Sequence, residues 1–187
     1  MTFMRAALAA ILIPLSIAPL HQIGAQTPAA SSRTTQLVAM FSKNKHVVKE
    51  KRGVRMEKYK DVKGEPAVRR NPASYSGTYD AGLGFVLTLK AGPDGRVEGS
   101  GVEPVGDSDL SRMFTIQDGN IDGALLTGTM VFRDGHKERL EGAFMNRTSK
   151  ESPNDPGVTT FGLGLLTSPK YVSGMTIERL FYERASP

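Results

Sequence analysis

From Asn71 onward, apolar residues recur at every second position in short runs, and glycine-bearing turns separate the runs. That period belongs to the β-strand, whose successive side chains leave opposite faces of the backbone. Phe85, Leu87 and Leu89 alternate with Val86, Thr88 and Lys90, and the run stops at Gly92-Pro93-Asp94-Gly95. Leu126, Gly128, Met130 and Phe132 alternate with Thr127, Thr129, Val131 and Arg133; Asp134-Gly135 then leads into a run with Leu140, Gly142 and Phe144 on one face. An Asp-Gly pair between two such runs is a strong local signal for an antiparallel hairpin. Further runs lie at 74–79, 96–101, 114–116, 161–165 and 175–183, with a loop over 149–157 and one helical turn expected over 107–112. About eight or nine short strands in series predict an all-β fold, either an antiparallel up-and-down barrel or a sandwich. The barrel is preferred because closure removes exposed strand edges, and Gly99, Gly128, Gly142 and Gly162 are spaced to relieve crowding where the sheet bends.

What precedes this stretch differs in composition. Arg5 followed by the apolar run Ala6 to Leu20, with small residues at Gly24-Ala25, has the form of a secretory signal peptide over residues 1–25. Pro14 and Pro19 break the run, and it is short for a membrane span, so no transmembrane segment is expected once the signal is removed. The chain has no cysteine. Disulfides and a lipid-modified N-terminal cysteine are therefore excluded, and a bacterial exported protein, periplasmic or secreted, is expected. Residues 26–42 form a tether, with a short helix expected over 35–42, where Leu37, Val38 and Phe41 share a face. Residues 43–70 form a basic arm of extended or irregular structure, and the β-domain occupies 71–187.

Charge is divided sharply between the last two segments. The arm holds eleven Lys or Arg against four acids, a net +7, whereas the chain from Asn71 on holds eleven against fifteen, a net −4. Clustered cations raise the local concentration of a polyanion. Lys49, Lys51, Arg52, Arg55, Lys58 and Lys60 are accordingly the candidate binding residues.

Nothing in the sequence points to catalysis or to a cofactor. The only histidines after residue 25 are His46 and His136, too few without cysteine for a zinc site of four ligands. Paired carboxylates could divide acid and base roles. The pairs available are Asp107/Asp109 beside an expected helical turn, Asp118/Asp122 flanking a Gly-Asn turn, and Glu138/Glu141 alternating with Arg139 on an expected exposed strand face. Each has a structural explanation, and no nucleophile-elbow, zinc-protease or phosphate-loop pattern occurs.

The stretch Tyr75-Ser76-Gly77-Thr78-Tyr79, followed by Phe85 to Leu89 and a Pro-Asp-Gly turn, resembles the opening of small exported bacterial β-domains of unknown function. It also resembles calycins such as lipocalins, although the chain has no tryptophan and so lacks the Gly-x-Trp signature. Two functions are thus expected. The first is a non-catalytic exported protein whose basic arm binds an anionic envelope polymer or another envelope protein, with no nucleic acid expected as partner. The alternative, which the calycin resemblance implies, is carriage of a small apolar ligand inside a barrel lined by Phe85, Leu87, Phe114, Met130, Phe132, Phe144 and Phe161.

Overall fold

The computed structural model describes residues 31–51, 54–106, 110–172 and 174–185, and for 43–59 the backbone alone. The expected signal peptide, the start of the tether, Arg52 and the pair Asp107/Asp109 lie outside the described residues. The chain runs through helix α1 (Ser32–Met40) and strands β1 (Lys43–Lys51) and β2 (Val54–Pro66) into a 3₁₀ turn, Pro72–Tyr75. Eight strands follow: β3 (Gly77–Gly82), β4 (Phe85–Ala91), β5 (Arg96–Pro104), β6 (Ser111–Asp122), β7 (Leu125–Phe132), β8 (Lys137–Lys150), β9 (Val158–Val172) and β10 (Met175–Arg184).

Each strand from β3 to β10 pairs antiparallel with the next, and β10 returns to β3, so the eight close into an up-and-down barrel. The seam is short, with Glu183 opposite Asp80, Arg184 opposite Tyr79, and the Ala185 amide donating to the Thr78 carbonyl at 2.9 Å. Positions 111–112, expected to finish a helical turn, instead begin β6, because Ser111 and Arg112 pair with Pro104 and Glu103. The strand expected from Ser74 starts at Gly77, since Pro72 and the Asn71 cap bend 72–75 into the 3₁₀ turn.

That turn closes one end of the barrel. Tyr75 is fully buried there, its ring 4.1 Å from the Phe144 ring. Its hydroxyl accepts from the Arg69 amide at 2.8 Å and lies 2.6 Å from the Ala67 carbonyl and 2.8 Å from the Gly123 carbonyl. Phe85, Leu87, Phe114, Met130, Phe132 and Phe144 are buried in the same interior cluster, and Phe161 packs against it.

A second, smaller cluster lies on the outer wall. Thr34, Leu37, Val38 and Phe41 recur at helical spacing and are buried; Leu37, Val38 and Phe41 pack on Ala143 and Met145 of β8. The Ser31 hydroxyl caps the helix by accepting from the Thr34 amide at 3.1 Å, so α1 begins three residues before the expected start. Gly164 leaves room for Phe41, whose ring would stand 2.7 Å from a Cβ there. Arg33 clamps the first turn to the barrel with a two-pronged bond to Glu141, both contacts 2.8 Å. At the other end, Arg179 donates to the Met40 carbonyl at 3.1 Å, a cation at the negative end of the helix.

Candidate anion-binding face

The basic arm forms a β-ribbon. β2 joins the barrel only through 61–66, which pair with 150–145 of β8, while 54–62 pair with β1. Asp61 lies opposite Lys150, the last residue of β8, so the ribbon from Lys60 back to its tip projects past the closed end of the barrel.

The ribbon's register sorts the charges. Directly opposed residues of an antiparallel pair share a face, and alternate residues along a strand do too. Lys43 faces Val62, Lys45 faces Lys60, Val47 faces Lys58, Lys49 faces Met56 and Lys51 faces Val54. One face therefore holds six lysine positions and no acid. The other holds Asn44, His46, Val48, Glu50, Arg55, Glu57, Tyr59 and Asp61, a formal net of −2 with histidine neutral. Of the residues expected to bind, the register brings Lys49, Lys51, Lys58 and Lys60 together and puts Arg55 opposite Glu50 on the reverse face.

The lysine face runs into a groove on the helix-bearing wall. Lys60, exposed, and Val62, buried, belong to both. With Met40, Phe41, Arg147, Arg179 and Phe181 they line a hollow of about 300 Å³. The Arg147 guanidinium lies 4.0 Å from the centre of the Phe181 ring, and its Nε is buried without a hydrogen-bond partner among the described residues. Burial holds this guanidinium below its ordinary pKa, against the pull of Glu183. Lys60 is paired with Glu151 at 3.5 Å, a contact between two exposed chains that costs little to exchange for another anion.

A second cluster of charges occupies the mouth, the end opposite the 3₁₀ turn. Lys170 Nζ donates to Glu138 Oε1 and Oε2 at 2.9 Å and to Glu103 Oε1 at 3.1 Å. Arg112 also binds Glu103, through Nε at 3.1 Å and through Nη2, and its guanidinium lies 4.4 Å from the centre of the Phe132 ring. Burial disfavours the Glu138 carboxylate, but hydrogen bonds and charge from Lys170, with Ser168 and His136, prevail and hold its pKa below the usual range. The two carboxylates and two cations compensate one another, so the network offers little to an external anion. It links β5, β6, β8 and β9 across the mouth, the end at which exposed Leu83, Tyr171 and Met175 stand on turns and strand ends.

Sequence reasoning missed this network. It placed Glu138 and Glu141 together on an exposed strand face, whereas both side chains are buried and they point to opposite sides of the barrel wall, Glu138 to Lys170 inside and Glu141 to Arg33 of the outer helix. The odd spacing between them was the available signal, since residues three apart on a strand cannot share a face. His136 is exposed beside its turn, as expected, with Nε2 3.3 Å from Glu138 Oε1.

Fold and surface together define an eight-stranded up-and-down barrel with an appended ribbon that is cationic on one face. Comparison with protein families, with curated proteins and with solved structures finds no match to this chain.

Proposed function

We propose that the chain is an exported, non-catalytic binding protein that attaches to a phosphate-bearing component of the cell envelope through the lysine face of the ribbon. The register of β1 against β2 carries this reading. An arm that merely kept the protein soluble would need no segregation of charge, yet six lysines share one face and Glu50, Glu57 and Asp61 share the other. Clustered cations on one side raise a local potential that attracts a polyanion. The groove extends that potential onto the barrel through Arg147 and Arg179. Carriage of an apolar ligand has weaker support, because six of the seven residues proposed to line its cavity are buried in one interior cluster, with Phe161 packed on it and Tyr75 at one end.

The test separates the two faces. Retention of the protein on phosphocellulose should fall when Lys49, Lys58 and Lys60 are changed together to Gln and stay nearly constant when Arg55 alone is changed. Retention should also weaken as salt rises, because the Debye length shrinks from roughly 10 Å at 0.1 M to about 3 Å at 1 M. Equal losses per charge removed from either face would refute the proposal.

A further inference from the structure

We infer that the anionic partner is the surface of a phospholipid bilayer and not a soluble polyanion, an inference that rests on the anion-binding reading above and names its partner. The lysine face holds ten positions: Lys43, Lys45, Val47, Lys49 and Lys51 on β1, and Val54, Met56, Lys58, Lys60 and Val62 on β2. Every one is lysine or aliphatic. No serine, threonine, asparagine or other neutral polar residue occurs among them, whereas the reverse face carries Asn44, His46 and Tyr59. The aliphatic positions are also interleaved with the cations, because Val62, Lys58, Met56 and Val54 oppose Lys43, Val47, Lys49 and Lys51, and Lys45 with Lys60 makes the one like pair.

A chain of phosphates in water would gain from the lysines and nothing from Val47, Val54 and Met56; Val62 is already buried at the groove and adds nothing to either partner. A bilayer interface rewards both. Its headgroup layer supplies anions, its acyl boundary takes up apolar side chains a few ångströms deeper, and lysine bridges the two with an apolar stem and a charged head. The groove repeats this chemistry on the barrel wall, where exposed Met40 and partly buried Phe181 lie among Lys60, Arg147 and Arg179 over a floor of buried Phe41 and Val62. The nine residues of β1 give the ribbon a length of about 30 Å, enough to lie along several headgroups. Each lysine near an anionic surface contributes roughly a fivefold gain in affinity, so charge and apolar contact together suffice for reversible attachment.

The experiment uses the chain from Gln26 onward with three probes: vesicles containing phosphatidylglycerol, vesicles of phosphatidylcholine alone, and soluble polyphosphate. Sedimentation with the anionic vesicles is expected, with little binding to the neutral ones. The triple change Val47→Ser, Val54→Ser and Met56→Ser should lower affinity for anionic vesicles at least tenfold while leaving retention on phosphocellulose unchanged. Because the natural chain has no cysteine, Val54→Cys can also carry a single polarity-sensitive fluorophore, which reports apolar contact even if the triple variant folds poorly. Its emission should shift to the blue on anionic vesicles and not on polyphosphate. Unchanged vesicle affinity in a folded triple variant, or no blue shift on vesicles that do bind, would overturn the bilayer assignment and leave anion binding standing. Failure to bind phosphocellulose, polyphosphate and anionic vesicles alike would overturn both.

Discussion

Changing Lys170 to methionine removes the cation shared by Glu103 and Glu138 while keeping most of the side-chain volume. In the native barrel the Lys170, Glu103 and Glu138 side chains are only 9, 4 and 8% exposed. Removing one partner from such a buried set costs about 3–5 kcal/mol, most of it the penalty of a carboxylate left without its counter-charge. Arg112 remains close to Glu103, but its Nη2 lies 3.7 Å from Glu138 Oε1, so Glu138 bears most of the loss. In the native protein burial raises the Glu138 pKa but Lys170, with Ser168 and His136, brings it below the ordinary value; with Lys170 gone, burial, the largest single influence, should raise it. The sign of the linkage then reverses. A lowered folded pKa gives stability that is present above the unfolded value and lost in acid. A raised one gives stability that is present below the unfolded value and lost as pH rises through the folded value. The gap between native and Lys170→Met proteins should therefore be wide at pH 7 and narrow towards pH 4. At about 2–4 °C per kcal/mol for a chain of this size, the melting temperature at pH 7 should drop by roughly 6–20 °C. Thermal unfolding followed by circular dichroism at both pH values measures it. A gap independent of pH would show that Lys170 acts by packing alone and would refute the argument.

Three further outcomes are expected. Tyr75→Phe removes a buried hydroxyl that serves the Arg69 amide and the Ala67 and Gly123 carbonyls, and should cost about 1–3 kcal/mol in urea unfolding without changing the fold. Gly164→Ala would place a Cβ 2.7 Å from the Phe41 ring; amides of 32–41 should then exchange faster with deuterium while those of β4 to β6 hold, and a second change, Phe41→Leu, should restore part of the protection. The Glu141 pKa is lowered chiefly by its bond to Arg33, so the grip of α1 on the barrel should be complete above the ordinary carboxylate pKa of 4.5 and lost as pH falls through the lower folded value; hydrogen exchange of α1 should show this, and Glu141→Gln should abolish the dependence.

The strands were legible because their signal is local. Alternation at Phe85, Leu87 and Leu89, and the turn at Asp134-Gly135, depend on residues a few positions apart, and the structure places β4, β7 and β8 there. The helix was legible for the same reason, through Leu37, Val38 and Phe41, although the Ser31 cap that sets its start was not read. Composition also marked the arm as basic, but it could not sort the charges.

Sorting required tertiary structure. Whether Arg55 joins Lys58 or faces away follows from the parity of one strand, but which β1 residues share that face depends on the β1–β2 register, and a shift of one residue would exchange them. The mouth network is further from local reading, since Lys170 and Glu103 meet across 67 positions of sequence and only barrel closure brings β9 near β5. The sequence by itself determined the run of barrel strands apart from some of their ends, the hairpin turns and the charge of each segment, because period and composition act within a few residues. Tertiary structure decided which charges stand together and which neutralise one another, because that depends on the pairing of strands distant along the chain.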